Sequence, residues 1–168
     1  LFLMSSINYE FTSLITVVIT APVELVFKMA MDEEVMKDWF VSPQMEFKGI
    51  ENVSGYKNEV GSQWHLVFSS KKGTVMKMLE TITEFEENKK FCFDLTDPFF
   101  KFNVKMLFKP QANKTIVTEE LKGSSKNHFL NGMMRIFGPK SRRIKESQYQ
   151  RLKEIIETKY SEMVSEEE

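Results

Sequence analysis

The strongest constraint on the fold lies between Ile15 and Phe40, where an alternating pattern stops at Ala21-Pro22 and two short helical patterns follow before a long run of strands. Tyr9, Phe11, Ser13, Ile15, Val17 and Ile19 alternate with Glu10, Thr12, Leu14, Thr16, Val18 and Thr20, the two-residue period of a strand with one face more buried. Pro22 suits the first helical position, where its missing N–H has no partner to lose, and Glu24 in that turn complements the positive helix end. Val23, Val26, Phe27 and Ala30 then recur at helical spacing. Asp32 is placed to cap a second helix over 33–40, with Val35, Met36, Trp39 and Phe40 on its apolar side, and Ser42-Pro43 ends it.

From Gln44 to Lys122 the period is that of strands, broken at Ser54-Gly55, Gly61, Ser69 to Gly73, Glu87 to Lys89, Asp97-Pro98 and Pro110 to Lys114. Six strands fit between those breaks. Parity is clearest where Phe100, Phe102, Val104, Met106 and Phe108 alternate with Lys101, Asn103, Lys105 and Lys109, with Leu107 as the exception. Trp64, Leu66 and Phe68 share a face by the same logic, as do Met76, Met78 and Ile82, and Phe91, Phe93 and Leu95. One apolar and one wet face is the habit of antiparallel sheets. From about Ser125 to Met163 helical spacing returns in Phe129, Met133, Ile136 and Phe137, then Ile144, Leu152, Ile155 and Ile156. Gly138-Pro139 interrupts this pattern and predicts a kink or break.

The order strand, two helices, six strands and a long C-terminal helix resembles the helix-grip fold of the START-like SRPBCC superfamily, with the nearest likeness to its polyketide cyclase/dehydrase-like branch. The resemblance rests on the Ala21-Pro22-Val23-Glu24-Leu25-Val26-Phe27 entry, the Asp32 to Trp39 helix, Val60-Gly61-Ser62-Gln63-Trp64 opening a strand, Thr81 to Glu86 closing another, and the helix ending near Leu152 to Ile156. It implies an α+β fold in which a curved antiparallel sheet of about seven strands wraps a long C-terminal helix. Residues 8–160 form that single domain. Residues 1–7, starting at Leu1, are read as a disordered or vector-derived N-terminus, and residues 161–168 as an acidic tail. Members of such a superfamily bind lipids, sterols, polyketides, hormones or aromatic compounds between sheet and helix, and only some catalyse a reaction.

Composition narrows the classes. At 168 residues the chain is long enough for one real core. Lys plus Arg is 23 against 24 for Asp plus Glu, so no global basic field exists to hold a nucleic-acid backbone. The single cysteine, Cys92, rules out an internal disulfide and points to a reducing cytoplasm. No apolar run approaches the roughly 18 residues of a membrane span.

The 15 Phe, two Trp and 11 Met supply large, adaptable apolar surface, and Met fills irregular space without fixing its shape. Any one of them is more often plain core than ligand wall. The case for a cavity is collective, and the expected ligand-binding residues are Trp64, Phe68, Met76, Met78, Phe91, Phe93, Phe100, Phe102, Val104 and Met106 from the sheet, with Phe129, Met133 and Phe137 from the helix. The loop from Ser54 to Gly61 and the turn from Thr96 to Phe99 are expected at its rim.

Glu80 falls in step with Met76, Met78 and Ile82, and Glu119 with Val117 and Leu121, so both carboxylates are candidates to point inward. Buried, either would have a raised pKa and proton-transfer capacity. The plainer alternative is an exposed strand edge or a lysine partner. His65 and His128 are too far apart, and too poor in Cys neighbours, to predict a metal site, and no cofactor motif occurs among the seven glycines. Cys92, out of phase with Phe91 and Phe93, reads as an inert strand residue. Lys140, Arg142, Arg143 and Lys145 form a basic cluster that would give weak peripheral contact with an anionic membrane, although a solvated helix face explains it as well.

The expected function is binding of a hydrophobic small molecule by a monomer or homodimer, with no reaction required. A cyclase- or dehydratase-like enzyme using Glu80 or Glu119 is the first alternative. A protein-interaction module, chaperone-associated or of growth-control type, is the second.

Overall fold

The computed structural model describes residues 11–167, and within that span the side chains of His128 and of residues 131–138 lie outside the description. Expectations for residues 1–7 and Tyr9 fall outside it too. The element order is β1 (Phe11–Ile19), α1 (Val23–Ala30), α2 (Glu33–Trp39), β2 (Met45–Ser54), β3 (Gln63–Ser70), β4 (Val75–Glu86), β5 (Lys90–Thr96), β6 (Phe100–Gln111), β7 (Lys114–Ser125) and α3 (His128–Glu166). The strands form one seven-stranded antiparallel sheet in the order β1-β7-β6-β5-β4-β3-β2. This is the α+β helix-grip architecture that the sequence predicts.

Local chemistry sets the boundaries. Pro22 stands just outside α1, in extended conformation with φ −65° and ψ 148°, and the helix starts one residue later than its N1 preference predicts. Asp32 caps α2, its side chain accepting from the N–H groups of Glu34 and Val35. Asn127 does the same for α3 through Phe129 and Leu130. In β2 the register shifts between Phe47 and Gly49, and Gly49 has φ +146°. A Cβ there would lie 2.5 Å from Glu33 Oε1, which accepts the Ile50 N–H at 3.0 Å. The bare backbone at Gly49 therefore lets α2 dock on the bent strand.

The helix α3 runs from His128 to Glu166 with Pro139 inside it, so of the expected kink or break there is no break. Proline crowds the preceding residue mainly through that residue's Cβ and N–H, and the preceding residue here is Gly138, which has no Cβ. At 39 residues the helix is about 58 Å long. It also passes through residues 161–166, the greater part of the segment expected as a tail.

The buried apolar residues fall into two clusters. The larger joins α1 and α3 to β1, β7 and β6 through Ile19, Val26, Phe27, Phe108, Val117, Leu152 and Ile156, and extends to Phe91 of β5 and Ile82 of β4. The smaller gathers Phe47, Leu66, Phe68 and Met78 on the β2-β3-β4 half, with Met36 and Phe40 of the α2 region packed against it. No described helix is long and apolar enough to cross a membrane.

Candidate functional site

Between the sheet and the two helices α2 and α3 lies a cavity of about 590 Å³. Its floor is the inward parity of the sheet from β3 to β7, with Met45 and Ile50 of β2 beside it. β3 contributes Trp64 and Phe68, β4 Met76 and Met78, β5 Phe91 and Phe93, and β6 Phe102, Val104 and Met106. Adjacent pairs continue across the sheet because the register brings inward residues together: Glu80 stands between Trp64 and Leu95, with Phe102 beyond, while Phe93, Val104 and Leu121 form the next row. Met36, Trp39 and Phe40 close one side from the α2 region. Ser141, Ile144, Lys145 and Gln148 close another from α3. Exposed Lys57 and Asn58 border the opening, as expected for the Ser54 to Gly61 loop. From the Thr96 to Phe99 turn no described residue reaches the wall.

Both candidate carboxylates reach this cavity, and their surroundings differ. Glu119 is 4% exposed. The Tyr149 hydroxyl donates to its Oε2, and Lys145 Nζ lies 3.3 Å from its Oε1. Burial, then the neighbouring Glu119 charge, pushes the Tyr149 hydroxyl well above its ordinary range. Lys145 also sits 4.8 Å from the Phe40 ring centroid. Glu80 is 9% exposed and, among the described residues, has no hydrogen-bond or ion-pair partner. Burial alone pushes its carboxyl up to about 7. The Trp64 indole beside it already donates to Ser62 Oγ at 3.2 Å. The buried wall atoms Trp39 Nε1 and Gln148 Oε1 also have no hydrogen-bond partner among the described residues.

Two expected wall residues stand elsewhere. Phe100 opens β6 opposite Ser125, at the outer end of the sheet, where it stacks on Phe102 at 6.0 Å but does not reach the cavity. Phe129 is 73% exposed, in the first turn of α3 next to the Asn127 cap, and does not line the cavity. The side chains of Met133 and Phe137 lie outside the described residues.

Lys145 leaves the expected basic surface cluster, because its ammonium turns inward to Glu119, whereas Lys140, Arg142 and Arg143 are exposed. Arg142 pairs with Glu146 at 3.0 Å. Cys92 is buried, and burial raises its thiol pKa. Glu84, Lys90 and Lys105 surround it electrostatically, charged neighbours that its own strand pattern did not reveal. Among the described residues, no group of three or more His, Cys, Asp or Glu side chains is placed to hold a metal ion.

The α2 and α3 contributions were the part of the wall that strand parity could not find. Ser141, Ile144, Lys145 and Gln148 do recur at three- and four-residue spacing, the signal of one helix face. Ile144 alone of the four is apolar, and the polar character of Ser141, Lys145 and Gln148 hid the face. Gln148 Nε2 donates to the Val41 carbonyl at 3.0 Å, and Arg151 Nε to that of Asp38, so α3 holds the end of α2 against the cavity.

A curved antiparallel sheet around a long C-terminal helix, with an apolar space between them, places the chain in the START-like SRPBCC superfamily. Residues 20–156 match the model of the family described as Activator of Hsp90 ATPase homolog 1-like protein, and the chain belongs to that family. Among curated proteins, none matches the sequence. Solved structures show the same fold at low identity. A protein from Nitrosomonas europaea aligns with a TM-score of 0.71 and 14% identity over 92% of this chain and 99% of its own. One from Thermus thermophilus gives 0.65 and 21% over 86% and 96%. An AHSA1-like protein from Aeromonas hydrophila gives 0.63 and 17% over 87% and 93%.

Proposed function

We propose that the protein binds an apolar or amphipathic small molecule, of lipid, polyketide or aromatic type, in the cavity between its sheet and C-terminal helix, and that it does so in the cytoplasm. The observation that carries this reading is a space of about 590 Å³ walled by aromatic and methionine side chains with a few polar groups. Ligand sites commonly enclose roughly 300–1,000 Å³ and use such a mixture, with apolar area for affinity and sparse polar groups for orientation. Six methionines on the wall, Met31, Met36, Met45, Met76, Met78 and Met106, accommodate varied shapes without rotameric strain.

Native mass spectrometry of protein purified from cells, followed by organic extraction, tests it. A stoichiometric apolar adduct is the expected result. An apo mass, together with failure of neutral hydrophobic probes to bind, overturns the reading.

One observation favours an enzymatic variant of the same site. A buried, unpartnered carboxyl with a pKa of about 7 is suited to proton transfer, so Glu80 would serve a cyclase- or dehydratase-like reaction on a confined ligand. Turnover of the extracted compound that persists in Glu80→Gln would sink that variant. The matched family's description, an activator of the Hsp90 ATPase, supports a third reading as a partner-binding module. That one predicts pull-down of a protein with the cavity empty.

A further inference from the structure

We infer that the cavity selects, through Glu80, amphipathic ligands whose head group donates a hydrogen bond, an alcohol or an amine, and rejects ligands headed by a carboxylate. The inference rests on the cavity reading above and adds the chemical class of the ligand head.

The argument begins with the capacity of the carboxyl group. An ionised carboxylate offers about four lone-pair sites and no donor, and a protonated one still has more acceptor capacity than its single O–H. In either state the unfilled capacity of Glu80 is chiefly that of an acceptor. Its neighbours leave it unfilled: Trp64 and Leu95 flank it across the sheet, Met78 and Ile82 lie two residues away on its own strand, and the Trp64 N–H is spent on Ser62. Burial without a partner is costly for such a group, so a donor brought by the ligand recovers a hydrogen bond that the protein itself does not make.

The cations complete the argument. A carboxylate-headed ligand needs one, and Lys145, the cavity's lysine from α3, is held by Glu119 and packed over Phe40. Lys57 lies at the exposed rim, in water, where an ion pair contributes little. Inside, such a ligand would meet the Glu80 carboxyl with no compensating charge among the described residues. An alcohol or amine meets the same group with the complementary polarity.

The test is competition against a bound neutral fluorophore, N-phenyl-1-naphthylamine, by decanol, decylamine and decanoate, three chains of equal length that differ in the head. In the wild type, decanol and decylamine are expected to displace the probe at concentrations at least about tenfold lower than decanoate, the weight of one hydrogen bond to a buried polar group. Glu80→Leu is expected to bind the probe and to lose that preference. Glu80→Gln, which keeps the shape and adds an N–H donor, is expected to narrow it. Equal displacement by all three in the wild type, or a preference unchanged in both variants, overturns the inference and leaves the cavity reading standing. Failure of the wild type to bind the probe or any of the three chains overturns both.

Discussion

The hydroxyl of Tyr149 donates to Glu119 across the interface between α3 and β7, both residues being buried. Lys145, one helical turn earlier, approaches the other carboxylate oxygen, so a single helix face holds the charge from two sides. Removing one partner of such a pair leaves an uncompensated charge in a poorly solvated place, which is far worse than removing both. Lys145→Met is therefore expected to destabilise the protein by about 2–4 kcal/mol. The double variant Lys145→Met with Glu119→Gln should recover at least half of that loss. Urea unfolding of the set measures the coupling, and purely additive effects would refute the arrangement.

Glu80 makes stability depend on pH in a stated direction. Its carboxyl titrates at about 7 in the folded protein against an ordinary 4.5, so between those values the folded state holds a proton that the unfolded chain has released. Stability therefore falls as pH rises through that window. At about 1.4 kcal/mol per unit, the loss from this group is roughly 3 kcal/mol by pH 8. Glu80→Gln removes this slope and is expected to exceed the wild type in stability at pH 8 while differing less at pH 5. Parallel pH profiles for the two proteins would contradict the assignment.

Val104 lies in the row Phe93, Val104, Leu121 on the cavity floor. Val104→Phe adds volume where space exists, so it is expected to weaken binding of a neutral fluorescent probe at least severalfold and to cost less than about 1 kcal/mol in stability. In a solid core the same enlargement costs about 1–3 kcal/mol. Large destabilisation with unchanged probe affinity would show that the floor is packed rather than open.

Pro139 lies inside a continuous helix and deprives it of one backbone hydrogen bond. Pro139→Ala is expected to raise stability by about 1–2 kcal/mol, the helix-propensity gain of about 3 being offset by the greater freedom of the unfolded chain. Circular dichroism and thermal unfolding read both effects. A loss of stability would mean that the proline shapes the helix in a way the gain in hydrogen bonding does not repay.

Most of the sheet was legible because its inward residues are apolar and its breakers are strong. Phe102, Val104, Met106 and Phe108 announce their face by parity, and Asp32 announces a helix start by its capping chemistry. Glu80 and Glu119 were found by the same parity, as polar residues in apolar phase. What parity could not supply was partnership. Glu119 and Lys145 are 26 positions apart, and only the docking of α3 on β7 brings them together. Phe129 was misread because a terminal helical turn repeats the apolar spacing of the turns that do touch the sheet. At Pro139 the sequence left a kink and a break open, and the glycine before the proline is what lets the helix continue.

The apolar interior of this fold is divided, one part anchored by Ile19, Leu152 and Ile156, the other by Phe47, Leu66 and Phe68. Met36, Phe40 and Phe102 pack against both. A guest molecule in the space between would act as a missing side chain that welds two half-cores into one cooperative unit. Its chemical potential then enters the folding equilibrium directly, adding about 2.7 kcal/mol when it is present at a hundred times its Kd. On the proposed reading, a chain starved of its guest would unfold more often and be cleared sooner, and its steady-state abundance would become a gauge of supply.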